Sequence, residues 1–222
     1  MRIRLTFSKS GPLIYISNLD LYTLWERAAR RARLPLSYSQ GFHPQPKIHF
    51  GAPLPLGFSS RCELLDMRLN EDLDLESVAA RLNETLPPAL RVTKIEPIDD
   101  STPALQTLVS SADYEVTMRE EPDILDLAER VEAVLRAKSV PRERRGKRYD
   151  LRPLIEDLRL RQDAARGGNI IAMRLKAQEG ATGRPDEVLE VLGIKREDAR
   201  IERTALSLLA PQGNSEARNG PS

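Results

Sequence analysis

The chain has 222 residues, of which 40% are hydrophobic and 30% are charged, and its formal net charge is +1. This length suits one large domain or two small ones. A single cysteine, Cys62, excludes an internal disulfide framework, and it excludes an iron–sulfur cluster or a zinc site held by several cysteines of this chain. The start, MRIRLTFSK, is interrupted by charges and does not resemble a signal peptide. No apolar run approaches the roughly 20 residues that span a membrane, so we expect a soluble, cytoplasmic protein without a membrane partner.

Charge is distributed unevenly along the chain. Residues 1–50 hold eight basic and two acidic side chains, residues 71–132 hold five basic and sixteen acidic ones, and residues 136–152 hold eight basic and two acidic ones. Two basic segments separated by an acidic one can build one positive face when the chain folds. The alternative is that the fold neutralises these charges internally.

The first half of the chain has the pattern of a β-α-β-β-α-β unit. An S-x-x-D start signal at Ser17 and Asp20 precedes a helix that runs to about Arg33, in which apolar residues recur at three- and four-residue spacing. Alternating or apolar segments predict strands at 2–7, 34–39, 46–54, 62–69 and 90–98, and a second helix is predicted at 74–85.

The second half repeats this order with less regular middle strands. We predict strands at 113–118, 169–176 and 199–209, helices at 123–137 and 184–192, and a basic hairpin-like stretch from Val140. The fold class is therefore α+β, with two tandem ferredoxin-like domains that have antiparallel sheets. The domains span 1–100 and 113–209. Between them is a linker at 101–112, in which residues 103–111 form a linker or edge segment. A polar, disordered tail is expected at 210–222.

The stretch Ser39–Gly57, SQGFHPQPKIHFGAPLPLG, concentrates prolines, glycines, histidines and phenylalanines in a connection longer than most. Prolines and glycines predict a rigid loop that holds side chains in fixed directions. Aromatic rings can stack on bases, and lysine or histidine can meet phosphate. The alternative is that Phe42 and Phe50 fill the core and that the histidines are ordinary surface residues. We predict a binding loop made of Tyr38, Gln40, Gly41, Phe42, His43, Pro44 and Lys47, lined by Arg27, Arg30 and Arg31.

The second candidate is the basic stretch KSVPRERRGKRYDLR, Lys138–Arg152, and we predict a hairpin there with Gly146 at its tip. A basic hairpin can follow a phosphate backbone, although a solvated loop has the same composition. We predict that this stretch extends a positive surface through Arg144, Arg145, Lys147 and Arg148. No metal site is predicted. A histidine beside a lysine also allows ribonuclease chemistry, in which the catalytic residues would come from His43, His49 and Lys47.

Several strings together resemble the uncharacterised family of radical-SAM-linked proteins, which occur fused behind a radical SAM domain or encoded beside one. The matching strings are LDL (19–21), RAARRARLPL (27–36), YSQGF-x-P-x-PKI (38–48), PLPLG (53–57), LLDMRL (64–69) and DLRPLIEDLRL (150–160). The resemblance covers most of residues 1–208 and leaves the tail outside it. Similar genes tend to lie near ribosome and RNA-processing genes, which favours an RNA substrate.

The resemblance implies a division of labour between two proteins. Radical SAM chemistry needs an iron–sulfur cluster held by three close cysteines, and this chain has only Cys62. The cluster and S-adenosylmethionine are therefore expected on a partner, and this chain is expected to have no cofactor of its own. We predict a non-catalytic accessory protein that presents RNA to the partner. The alternatives are a docking module that binds the partner without RNA, through Phe42, Leu54 and Leu56, and a histidine-dependent ferredoxin-like endoribonuclease.

Overall fold

A computed structural model describes residues 1–120, 122–144, 146–162 and 167–209. In this part of the chain the fold is mixed α+β, with a mostly antiparallel sheet and five α-helices. The helices are α1 (Asn18–Arg31), α2 (Leu75–Thr85), α3 (Leu105–Leu108), α4 (Ile124–Arg136) and α5 (Pro185–Val191). The strands are β1 (Arg2–Lys9), β2 (Ile48–Phe50), β3 (Ser59–Arg68), β4 (Leu90–Ile98), β5 (Val109–Met118), β6 (Pro141–Arg144), β7 (Lys147–Asp150), β8 (Ile155–Gln162), β9 (Asn169–Gln178), β10 (Ala181–Thr182) and β11 (Ala199–Leu208). None of the described helices has the length and apolarity required to cross a membrane.

The first core lies between one face of the sheet and the helices α1 and α2. Strand β1 pairs antiparallel with β3 and β4, and β2 pairs antiparallel with β3. Helix α1 begins as predicted, because the Ser17 hydroxyl accepts a hydrogen bond from the backbone N–H of Asp20 at 3.1 Å. Trp25 of α1 is fully buried and packs edge-on against Phe7 of β1, with 4.8 Å between ring centroids.

The second core is built in the same way from α4 and α5. Strand β5 pairs antiparallel with β9 and β11, and β8 and β10 pair antiparallel with β9. On α4 the buried residues Leu127, Val131 and Val134 follow the predicted helical spacing. On α5, Val188 and Leu189 are fully buried. The predicted elements at 113–118, 123–137, 169–176, 184–192 and 199–209 all correspond to elements of the structure.

The two halves share one sheet. Strand β11 pairs parallel with β3, with Glu202 opposite Ser59 and Arg203 opposite Ser60. Among the described residues, nine strands therefore form one sheet in the order β10-β9-β5-β11-β3-β1-β4, with β2 attached to β3 and β8 attached to β9. Strands β6 and β7 form a separate hairpin, and its turn contains Gly146 as predicted.

The predictions were wrong around the long connection between α1 and β3. The predicted strand at 34–39 is reduced to two isolated bridges, Leu36 with Leu69 and Tyr38 with Pro46. The predicted strand at 46–54 is confined to β2, the three residues 48–50. Proline has no N–H to donate to a neighbouring strand, so the prolines of this connection interrupt the ladder. Segment 103–111 contains α3 and the start of β5, and the predicted tail at 210–222 lies outside the described residues.

Candidate nucleic-acid interface

The loop that follows Tyr38 is a closed, narrow hairpin. The backbone N–H of Ser39 donates to the Gln45 carbonyl at 2.8 Å, and the N–H of Gln45 donates to the Ser39 hydroxyl at 2.9 Å. The Tyr22 hydroxyl of α1 donates to the Pro46 carbonyl at 2.8 Å, which fixes the base of the loop to the helix. Residues 40–44 are therefore held outside the body of the protein as a short tip.

Phe42 is the most prominent side chain of this tip. Its relative exposure is 102%, whereas Phe50 packs against the first core, 6.2 Å from the Phe7 ring. The alternative interpretation, in which both phenylalanines fill the core, is thus wrong for Phe42. Gly41 has φ +127°, a region that side-chain-bearing residues rarely adopt, and the other tip residues, Gln40, His43 and Pro44, are exposed.

Arg30 of α1 stands beside this loop. Its Nε donates to the Tyr38 hydroxyl at 3.2 Å, and its guanidinium lies 5.9 Å from the centroid of the Tyr38 ring. The hydrogen bond to Tyr38 and the charge of Glu26 raise the pKa of Arg30. Tyr38 is half-buried against the first core, so it positions the arginine and offers little of its own ring to a ligand.

The other two arginines of α1 lie elsewhere. Arg27 and Arg31 line a cavity of about 510 Å³ between α1 and the C-terminal end of α2. Arg27 and Arg31 are four residues apart and are therefore neighbours on the helix surface, whereas Arg30 does not line this cavity. Of the three arginines predicted to line the loop, the structure places Arg30 against Tyr38 and places Arg27 and Arg31 at this separate cavity.

A second cavity brings Lys47 and His49 together. It measures about 260 Å³ and is lined by residues of β1, β2, β3 and the α3 region: Arg2, Lys47, His49, Asp66, Met67, Arg68, Ala104, Leu105 and Gln106. Lys47 and His49 are two residues apart in an extended segment, so they face the same side of the sheet. His43, on the exposed tip, is not part of this cavity. The structure thus joins two of the three residues of the ribonuclease hypothesis and leaves the third outside.

The chain matches a family model along residues 2–185, and the family is described as "Uncharacterized protein conserved in bacteria (DUF2344)". The chain belongs to this family. The match includes the loop, both cavities and the β6–β7 hairpin. No curated protein matches the sequence.

The basic hairpin of this family member is anchored on the second half of the molecule. Arg142 pairs with Glu190 of α5, and the Tyr149 hydroxyl donates to Glu187 of the same helix. Burial and the bond to Glu187 raise the pKa of Tyr149 to about 12. Arg144, Lys147 and Arg148 are exposed, and Arg148 pairs with Glu143 at 3.5 Å. Arg145 lies outside the described residues. The hairpin and the loop are thus fixed to different helices.

The second part of the Ser39–Gly57 stretch has a role that the sequence did not indicate. Leu54 and the neighbouring Phe58 are buried in the core of the second half. Arg203 of β11 donates to the carbonyls of Ala52 at 3.2 Å and Pro53 at 2.9 Å. This segment joins the two halves, so Leu54 is not available to dock a partner, contrary to the docking hypothesis. The proline-flanked leucines did not indicate this role, because the same pattern fits an exposed loop.

Cys62 is a poor metal ligand in this structure. Burial raises the pKa of its thiol to about 11, and the thiol lies 3.6 Å from the Arg203 carbonyl oxygen. Metal ligation requires a thiolate, which this environment disfavours at neutral pH. Across the described ranges, no three His, Cys, Asp or Glu side chains are grouped so that they could hold a metal ion.

Proposed function

We propose that this protein is a non-catalytic, cytoplasmic accessory protein of a radical SAM enzyme, and that it recognises RNA and presents it to that enzyme. The resemblance of the YSQGF-x-P-x-PKI string supports the partner. On this proposal the partner carries the iron–sulfur cluster and S-adenosylmethionine. The observation that carries the RNA part is the fully exposed Phe42 at the end of a braced loop.

An exposed aromatic ring on a fixed loop is suited to unpaired bases. Single-stranded RNA exposes base faces, and stacking of a base on an aromatic side chain contributes about 1–3 kcal/mol. The closure between Ser39 and Gln45 and the bond from Tyr22 to Pro46 restrict the loop before any ligand arrives. Such preorganisation reduces the entropy lost on binding. The amide of Gln40 and the ring of His43 add hydrogen-bonding groups beside the stacking ring.

The cations near the loop also favour RNA over a protein partner. Arg30 lies against Tyr38 at one side of the loop, and Lys47 follows directly after its base. Phosphate contacts from such side chains supply most of the affinity for nucleic acids. Leu54 is buried and cannot contribute to the docking alternative. Of the three apolar residues named for docking, Phe42 and Leu56 are exposed.

We also propose that each half is a ferredoxin-like domain, with the boundary near residues 101–112. The strand orders β4-β1-β3-β2 and β11-β5-β9-β8, both antiparallel, support this. The ferredoxin-like fold is common among RNA-binding modules, but a fold alone does not assign a function. Phe42 therefore carries the proposal.

The test is a pull-down of the tagged chain from its own cytoplasm, with and without RNase, for the wild type and for Phe42→Ala. The matched control is Leu125→Ala, since Leu125 is also an exposed apolar residue, 73% accessible, but lies on α4. We expect the wild type and the control to recover a radical SAM enzyme and a defined RNA. The Phe42→Ala variant should retain the enzyme and lose the RNA.

Three outcomes would contradict the proposal. Recovery of the enzyme alone, unaffected by RNase, would support the docking module. An RNA set unchanged by Phe42→Ala would remove the stacking role of the loop. Cleavage of the bound RNA by the purified chain, lost in His49→Ala, would support the ribonuclease, since His49 shares its cavity with Lys47.

A further inference from the structure

We infer that the cavity next to α3 binds a terminal phosphate monoester, so that the RNA is held by one of its ends. This inference rests on the proposed function for the identity of the polymer, while the phosphate site itself rests on the geometry of the cavity. The cavity, about 260 Å³, is smaller than the roughly 300–1,000 Å³ of sites for drug-sized ligands. It is large enough for a compact polar group such as a phosphate.

The charges around the cavity leave an excess of positive charge. Arg2 and Arg4 both donate to the buried Asp66, with bonds of 2.7 Å from Arg2 and of 2.7 and 3.0 Å from Arg4. One carboxylate thus neutralises only one of two guanidinium charges. Both of its oxygens already accept hydrogen bonds from these arginines. Arg2 lines the cavity, and its guanidinium also donates to the carbonyls of Thr102 and Pro103, which hold this positive charge beside the cavity without neutralising it.

Lys47 adds a second uncompensated charge. Within the described residues, no carboxylate lies at ion-pair distance from its ammonium group. Arg68 also lines the cavity, but it is paired with Asp100, which is 65% exposed. Exposed ion pairs contribute little, so this arginine can turn toward a bound anion at small cost. His49 provides a further ring nitrogen at the rim.

A phosphate monoester matches this arrangement better than an internal phosphate does. A monoester carries about −1.5 to −2 charges at pH 7, whereas a phosphodiester carries one. The excess of about two positive charges at Arg2–Arg4–Asp66 and Lys47 therefore matches the terminal group. Arginine and lysine are the usual phosphate-binding side chains. With the end of the chain in the cavity, the adjoining nucleotides lie toward the loop that carries Phe42, because Lys47 directly follows the base of that loop.

The first experiment uses adenosine 5′-monophosphate and adenosine as probes, titrated into the full chain by calorimetry. We expect the monophosphate to bind and adenosine to bind at least about tenfold more weakly. Lys47→Met should weaken monophosphate binding by about tenfold or more. The control Lys94→Met removes an exposed lysine of β4 that pairs with Glu96, and it should leave binding unchanged. Equal affinity of the wild type and Lys47→Met, or no difference between the two probes, would overturn the site.

The second experiment separates this inference from the proposed function. One short single-stranded RNA is prepared with a 5′-phosphate, with a 3′-phosphate, or with hydroxyls at both ends, and its binding is measured for the wild type, Lys47→Met and Phe42→Ala. We expect one of the two phosphorylated RNAs to bind most tightly. Which of them does so shows whether the cavity holds the 5′ or the 3′ end of the RNA. Lys47→Met should abolish that preference, and Phe42→Ala should weaken all three forms.

Failure of the terminal-phosphate inference and failure of the RNA proposal would give different binding results. If the three RNAs bind equally and binding depends on Phe42, the terminal-phosphate inference is overturned and the RNA proposal stands. If none of the RNAs binds while adenosine 5′-monophosphate binds in a Lys47-dependent way, the phosphate site stands and the RNA proposal fails.

Discussion

Glu63 of β3 and Arg203 of β11 form a buried ion pair where the two halves of the sheet meet. The guanidinium nitrogen lies 3.0 Å from the carboxylate oxygen, and both side chains are almost completely removed from solvent. Burial is the largest single effect on the pKa of Arg203 and lowers it, but the charge of Glu63 and the interactions with Tyr114 together outweigh burial, so the pKa is raised. Arg203 also donates to the Tyr114 hydroxyl at 3.3 Å and to the carbonyls of Ala52 and Pro53. One residue thereby connects β3, β5, β11 and the segment after β2.

Lys9 adds a second positive charge to this cluster. Its side chain is fully buried, and its ammonium nitrogen has no hydrogen-bond partner among the described residues. Burial lowers the pKa of Lys9, and Glu63 opposes that effect. Glu63 is therefore the negative group that compensates two buried cations, and its charge should be essential to the fold.

The variant Glu63→Gln tests this at the residue scale. It keeps the shape of the side chain and removes its charge, which leaves Arg203 and Lys9 buried without compensation. Breaking a buried pair in this way costs about 3–5 kcal/mol of unfolding free energy. The measurement is urea denaturation followed by circular dichroism.

Glu202→Gln is the matched control, because Glu202 pairs with Arg61 on the exposed face of the sheet at 3.1 Å. Exposed pairs contribute about 0–1 kcal/mol, so this variant should unfold almost like the wild type. Equal losses in the two variants would show that the buried pair has no special role.

At the scale of elements, the segment 51–58 behaves as a connector between the cores. Leu54 is 4% exposed within the second core, whereas Leu56, two residues later, is 60% exposed. Leu54→Ala should lower the unfolding free energy by about 2–5 kcal/mol, because it removes a buried side chain and leaves a cavity. Leu56→Ala should change it by less than about 0.5 kcal/mol. Urea denaturation of both variants checks this, and a large effect of Leu56→Ala would contradict the orientation of the segment.

The sequence predicted the regular elements better than this connector. The helix start at Ser17 and the spacing of Leu21 and Trp25 are local signals, and local hydrogen bonds and burial reproduce them in α1. Leu54 and Leu56 sit in the same proline-rich context, so no local pattern distinguishes the buried one from the exposed one. Their difference comes from the second core, whose members other than Leu54 and Phe58 lie at Ala112 and beyond.

The candidate site was predictable to a similar extent. The concentration of aromatic and basic residues located the loop, and the two-residue spacing of Lys47 and His49 implied a shared face. Arg2 and Arg68 reach the same cavity from β1 and β3. Their contribution depends on the pairing of strands that are far apart in sequence, which spacing alone does not reveal.

At the scale of the whole molecule, the parallel pairing of β3 with β11 makes the sheet continuous across both halves. The buried Glu63–Arg203 pair and the connector 51–58 cross the same junction. Each half nevertheless has its own core, one around Trp25 and the other around Leu189. When two cores share such contacts, the unfolding of one core exposes buried surface of the other. The two cores then tend to unfold together.

Trp25 makes this coupling measurable, because it is the one tryptophan of the chain and lies in the first core. Leu189→Ala creates a cavity in the second core, far along the chain from the fluorophore. If the halves unfold together, the urea midpoint seen by Trp25 fluorescence should fall by about 1–2 M, equal to the fall seen by circular dichroism. Leu125→Ala on the exposed side of α4 should move neither midpoint.

The contradicting outcome is a tryptophan transition that stays in place while the circular dichroism transition becomes biphasic. It would mean that the continuous sheet does not make the two cores one cooperative unit. The loop carrying Phe42 would then be stabilised by the first core alone.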